Sequence, residues 1–126
     1  MKRCTFALVL LGIMLVTSFW VTGYMDRTHT PLAEAVNRAG DRAALGQWES
    51  AMAEFTRARE DWESQRRIVA AFADHSPMEE VDALFAQLEV AGKFRDGPAF
   101  ASLCAHLGEA LEALGEAHSP SWWNVL

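Results

Sequence analysis

The run "CTFALVLLGIMLVTSFWV", Cys4 to Val21, carries no charge over 18 residues, and it constrains this chain more than anything that follows it. As a helix it is about 27 Å long at ~1.5 Å per residue, close to the ~30 Å hydrocarbon core of a bilayer. Lys2 and Arg3 precede it, and Trp20 and Tyr24 fall where a membrane–water interface would lie. Two readings are open. A signal anchor keeps the run, with the lipid bilayer as its partner through residues 4–21. A cleaved signal peptide has an apolar region of about 7–15 residues and a small-residue exit, here near Gly23, and releases a secreted chain. The length of the run and the bulky Phe19–Trp20 pair favour the anchor. The basic pair then puts the N-terminus in the cytoplasm and the rest of the chain outside it, at the cell membrane. The expected division is residues 1–24 as a single-pass anchor and 25–126 as an extracytoplasmic domain. A lipoprotein reading fails, because the attachment cysteine must follow the apolar run and Cys4 begins it.

Beyond residue 24 the chain holds all 17 acids but only nine of the 11 basic residues, a net charge of −8. Nucleic acid and anionic headgroups both reward positive surface, so neither is an expected partner of this part. Cys4 and Cys104 are too differently placed to form a disulfide framework.

Four prolines, Pro31, Pro77, Pro98 and Pro120, divide the outer part into periodic blocks. The first runs from about Pro31 to Leu45, with Thr30 as cap and a thin face of Leu32, Val36 and Ala39. The second, from about Gln47 to Ala73, repeats Trp48, Phe55, Trp62 and Val69 every seven residues, with Ala51, Ala58, Gln65 and Phe72 three positions after each. That is an a/d seam whose small members admit a close neighbour. Glu63 and Arg67 stand as an i, i+4 pair. The third block opens on Ser76-Pro77-Met78-Glu79, a capping box, continues through Val81, Leu84, Phe85 and Leu88, and is expected to end at Gly92. The fourth, from about Pro98 to Ala117, lines up Phe100, Leu103, Leu107, Leu111 and Leu114 with Cys104 beside them. No alternating stretch suggests a strand. The expected fold is all-α: an N-terminal transmembrane helix, then a small antiparallel bundle of about four helices.

Gly46 to Ala58, read as G-x-W-x-x-A-x-x-x-F-x-x-A, resembles the second helix of a tetratricopeptide repeat, although Arg38 and Arg42 stand where a matching first helix needs bulk. A wider resemblance rests on Trp48, Ala51, Trp62, Asp74, His75, Glu80, Asp82, Leu88, Asn124 and Leu126. On these the chain resembles a family of small bacterial single-pass membrane proteins known only as a domain of unknown function, number 4363. The resemblance implies a location and a fold, and carries no activity to transfer.

Asp74 and His75, with Glu79, Glu80 and Asp82 nearby, are the one cluster that could hold a metal or move a proton. Metal sites want three or four converging ligands, and these acids diverge around a helix. The simpler reading is a corner in which acids favour the helix N-terminus and His75 meets the preceding carbonyls. A contact surface of Asp74, His75, Glu80 and Asp82 is the intermediate reading; Trp122 and Trp123 of the tail are expected to plug the end of the bundle, with membrane-surface contact or a place in that contact surface as the alternatives. His29, His106 and His118 are expected at surface or boundary positions. Cys104, on an apolar face without a local base, reads as a small hydrophobe. No phosphate loop, serine elbow, HExxH or CxxC is present. The expectation is a non-enzymatic, cofactor-free binding or scaffold protein, accessory to a membrane protein. Two alternatives stand beside it: a metal-dependent sensor or enzyme at Asp74–His75, and a self-associating structural envelope protein.

Overall fold

A computed structural model describes residues 2–70 and 75–116, with side chains at all of these but 2, 3, 21, 22, 25, 26, 69 and 75. Of the expected site and core residues, Phe72, Asp74, Trp122 and Trp123 lie outside the described residues, as do the side chains of Val69 and His75. The described chain is all-helical: α1 (Lys2–Ala44), α2 (Trp48–Val69), α3 (His75–Lys93) and α4 (Gly97–Glu116).

The first departure from expectation is α1. Pro31 and Thr30 do not open a new helix, because one helix runs through both. An internal proline costs about 3 kcal/mol through its missing N–H and its clash with the previous turn. Here both Pro31 and Arg27, whose carbonyl loses its partner, belong to exposed residues, so water can reach that face. The opposite face offsets the cost. His29, Leu32, Ala33, Val36, Ala39, Gly40 and Ala43 form one buried stripe that crosses the proline without a break. His29 is 1 % exposed, against the expectation of a surface or boundary position.

The same helix is dressed differently towards its N-terminus. Every large apolar side chain from Phe6 to Trp20 is between 47 and 77 % exposed. Among the described residues no helix is long and apolar enough to cross a membrane.

Residues 29–44 of α1 and helices α2, α3 and α4 enclose a single core. Helix α1 packs most closely on α4, then on α2, and α3 packs on α4. The α1–α4 contact is antiparallel and tight because glycines sit in it. A Cβ on Gly40 would lie 2.8 Å from the Cys104 Cβ, and one on Gly108 would lie 2.7 Å from the Asn37 Oδ1. Helices α2 and α3 have few close backbone approaches; they meet through large rings instead. The expected seam members Phe55 and Trp62 are buried, as are Val81, Phe85, Leu88, Phe100, Leu107, Leu111 and Leu114, while Trp48 and Leu103 are half-buried against them. Gln65 interrupts the seam, and its Oε1 is buried with no hydrogen-bond partner among the described residues.

Two loops close the end of the bundle opposite the exposed half of α1. In one, Gly46 takes φ 76°, with the Gly46 N–H donating to the Ala43 carbonyl and the Gln47 N–H to the Arg42 carbonyl. In the other, Arg95 takes φ 50° and repeats the pattern onto Gly92 and Ala91. Both are helix ends closed by a left-handed residue. Gly92 therefore does not terminate α3 as expected. It lies one turn earlier, buried, with the Met52 Sδ 2.9 Å from where a Cβ would stand. The capping box is displaced as well: α3 begins at His75, so Ser76 and Pro77 are in its first turn, where a missing N–H costs little. The N-cap of α4 is Asp96, whose Oδ1 accepts from the Ala99 N–H at 3.1 Å.

The glycine contact predicts an asymmetry between two helix glycines. Gly40→Ala should destabilise the bundle by about 1–3 kcal/mol through overpacking, more than the ~1 kcal/mol that alanine gains in helix propensity. Gly12→Ala, with nothing within 4 Å of its Cβ position, should leave urea unfolding of the bundle unchanged.

Candidate functional site

Helix periodicity puts Arg59, Trp62 and Arg66 on one stripe of α2, and Asp82, Phe85 and Glu89 on one stripe of α3. Because the helices run antiparallel, the stripes meet in register. Arg66 pairs with the Asp82 Oδ2 at 2.7 Å. The Trp62 indole N–H donates to the Asp82 Oδ1 at 2.8 Å. Trp62 and Phe85 lie with centroids 6.4 Å apart and planes 20° apart. At the far end Arg59 donates to Glu89 and also meets the Glu63 Oε1 at 3.3 Å. Glu63 is thus held by Arg59, one turn before it, and not by the Arg67 that its spacing suggested.

A cleft of about 340 Å³ opens along this seam, lined by Arg59, Trp62, Glu63, Arg66, Asp82, Phe85 and Ala86. Its floor is aromatic and each end carries a cation beside an acid. The hydrogen bond from Arg59 draws the Glu89 carboxyl below its ordinary 4.5, with Lys93 adding to the effect at 3.4 Å. The same hydrogen bond raises the Arg59 guanidinium. Every one of these groups is at least a third exposed at the side chain, so each pair contributes little singly.

The expected contact residues separate here. Asp82 faces α2 and is committed to Trp62 and Arg66. Glu80 is exposed on another face, 3.6 Å from the His106 Nε2 of α4. His106 therefore does approach the start of α3, through Glu80. The two acids do not converge, and among the described residues no group of three His, Cys, Asp or Glu side chains could hold a metal ion. Asp74 and the His75 side chain are outside those residues. At Cys104, burial first and the Asp41 charge second push the thiol up to about 12, so it stays protonated at neutral pH.

The residues that chain-wise reading missed are Arg59, Arg66 and Glu89. Their signal lay in two antiparallel helices carrying charges at matched three- and four-residue spacing, which becomes visible only once α2 is paired with α3.

Residues 19–125 match the family described as a domain of unknown function (DUF4363). The chain belongs to that family. No curated protein and no solved structure matches it. The DUF4363 match takes in Trp48, Trp62, Glu80, Asp82 and Leu88 of the resemblance, and begins at Phe19, inside the apolar run.

The Asp82 arrangement makes two measurable statements. Asp82→Ala strips the acceptor from a buried indole and should cost about 1–3 kcal/mol, whereas Asp82→Asn, which still accepts from Trp62, should cost under about 1 kcal/mol; equal losses in urea unfolding would contradict the hydrogen bond. Glu89 gives a pH dependence. Its carboxyl holds its proton less tightly folded than unfolded, so its contribution is present above pH 4.5 and fades as pH falls below that value. Glu89→Gln should flatten that part of the Tm-versus-pH curve and leave the Tm near pH 7 slightly lower.

Proposed function

We propose that α1 is a membrane anchor over residues 4–21 and that the bundle stands outside the cytoplasm as a non-enzymatic binding or scaffold module, accessory to a membrane protein. The observation that carries this reading is the double character of one uninterrupted helix. Its residues from Leu32 to Ala43 bury a stripe in the bundle, while its residues from Phe6 to Trp20 are all exposed and present an apolar surface. Such a surface in water is a liability; in hydrocarbon it is the expected dress of a helix. Lys2 and Arg3 give the orientation. Cleavage near Gly23 is the weaker alternative, since it would cut α1 in mid-helix and remove Phe19 to Gly23 from the family match.

The binding role draws support from the two loops at the far end. Leu45 and Phe94 occupy equivalent positions at the ends of α1 and α3 and are 75 % and 80 % exposed. The loops adjoin, because a Cβ on Gly97 would lie 3.6 Å from the Ala43 carbonyl oxygen and 4.0 Å from Trp48. An aliphatic and an aromatic side chain exposed at the same end of the bundle, away from the anchor, offer apolar surface for a protein contact.

The test is fractionation of the full chain expressed in a bacterium with a C-terminal tag. The anchored reading expects an intact mass including residues 1–23, retention in the membrane after alkaline carbonate, and digestion of the bundle by protease added outside the cytoplasmic membrane. A carbonate-soluble chain, or one starting at residue 24, would overturn it. For the scaffold role, a photocrosslinker replacing Phe94 should capture one dominant membrane protein that a crosslinker at exposed Thr56 misses; equal capture at both would refute the tip as the contact, and capture of a second copy would replace it with self-association.

A further inference from the structure

Where α1 leaves the expected hydrocarbon region its surface has a particular shape. Phe19, Gly23 and Arg27 follow one another at four-residue spacing along one row of the helix, and Trp20 and Tyr24 occupy the next row. The Trp20 and Tyr24 rings stack, with centroids 6.0 Å apart and planes 19° apart, and form a wall. Gly23 leaves a gap between Phe19 and Arg27, since nothing lies within 4 Å of where its Cβ would be. The result is a notch of about 250 Å³ lined by Phe19, Trp20, Gly23, Tyr24 and Arg27. Among the described side chains no carboxylate pairs with its rim cation, Arg27, which shares this with Arg57, Arg67 and Arg95.

We propose that this notch seats one zwitterionic phospholipid, a site that rests on the anchored reading of α1 and adds a ligand to it. The Arg27 guanidinium takes the phosphate, whose paired oxygens match its forked donors. The glycerol region lies over the bare backbone at Gly23, against the ring wall. The first part of an acyl chain follows Phe19 downward. The dimensions agree: eight residues from Phe19 to Arg27 rise about 12 Å, enough to join the upper hydrocarbon to a headgroup layer about 5–8 Å deep. Charge selects the lipid class. One cation matches one phosphate, and the bundle beyond residue 24, at net −8, repels headgroups that carry a further negative charge. Gly23 gives the site its test, because its Cβ position is open and a side chain built there grows into the notch.

The experiment is native mass spectrometry of the full-length chain released from detergent in the presence of phosphatidylethanolamine, with phosphatidylglycerol and inorganic phosphate as separate arms. Wild type and Gly12→Leu should each retain one phosphatidylethanolamine, while Gly23→Leu and Arg27→Gln should lose it at least tenfold. Phosphatidylglycerol should be retained more weakly, and millimolar inorganic phosphate should not displace the lipid. Equal retention by Gly23→Leu and Gly12→Leu would overturn the notch, as would displacement by inorganic phosphate, which would make Arg27 a plain anion contact. Carbonate extraction of the same four proteins keeps the two readings apart: a soluble wild type sinks the anchor, whereas four anchored proteins with equal lipid retention sink only the lipid site.

Discussion

The bundle is organised around a line of rings. His29 of α1 lies 6.3 Å from Trp62, Trp62 stacks on Phe85, Phe85 meets Phe55 at 6.0 Å, Phe55 meets Phe100 at 5.9 Å, and Phe100 meets Trp48 at 5.7 Å. All four helices contribute to it. Beyond the apolar area they bury, aromatic pairs in such offset and edge-on arrangements add about 0.5–1.5 kcal/mol each. The line also sets spacing. Rings between α2 and α3 hold those backbones apart, whereas α1 and α4, joined through Gly40 and Gly108, come together with almost nothing between them.

The polar groups follow from that unequal spacing. A wide seam leaves room for long side chains at its edge, and the α2–α3 edge is where Arg59, Arg66, Asp82 and Glu89 pair across the gap. Trp62 serves both layers. Its ring belongs to the aromatic line, and its N–H reaches out to Asp82, so a buried indole remains hydrogen-bonded. The narrow α1–α4 seam has no such room. Its signature is small residues and a shielded thiol at Cys104.

The helices could be read from the sequence to the extent that their core stripes repeat. Trp48, Phe55 and Trp62 at seven-residue spacing, and Phe100, Leu107, Leu111 and Leu114 on one face of α4, required no knowledge of neighbours. His29 was hidden by Pro31: treating the proline as a helix start cut it off from Leu32, Ala33 and Val36, although it stands at three-, four- and seven-residue spacing from them. Gly92 was misjudged for a related reason, since local propensity makes glycine a stop, and only the presence of Met52 on another helix explains a buried one. Asp82 was singled out as an acid near a corner, but its partners lie 16 and 20 residues earlier in sequence. No local spacing reveals a pair made between two helices. Asp74, Trp122 and Trp123 fall outside the described residues.

The unbroken α1 has a mechanical meaning. With residues 4–21 as the proposed anchor, the 22 residues from Gly23 to Ala44 form a stiff arm of about 33 Å, at ~1.5 Å per residue, that shares a backbone with the anchor. The bundle is clamped to that arm along the His29–Ala43 stripe, so it cannot swivel independently. A change of about 10° in helix tilt, well inside the range membrane helices adopt, would carry Leu45 and Phe94 sideways by about 6 Å. Bilayer thickness would then be converted into the position of the surface at the far end, with the protein acting as a pointer whose pivot is in the lipid.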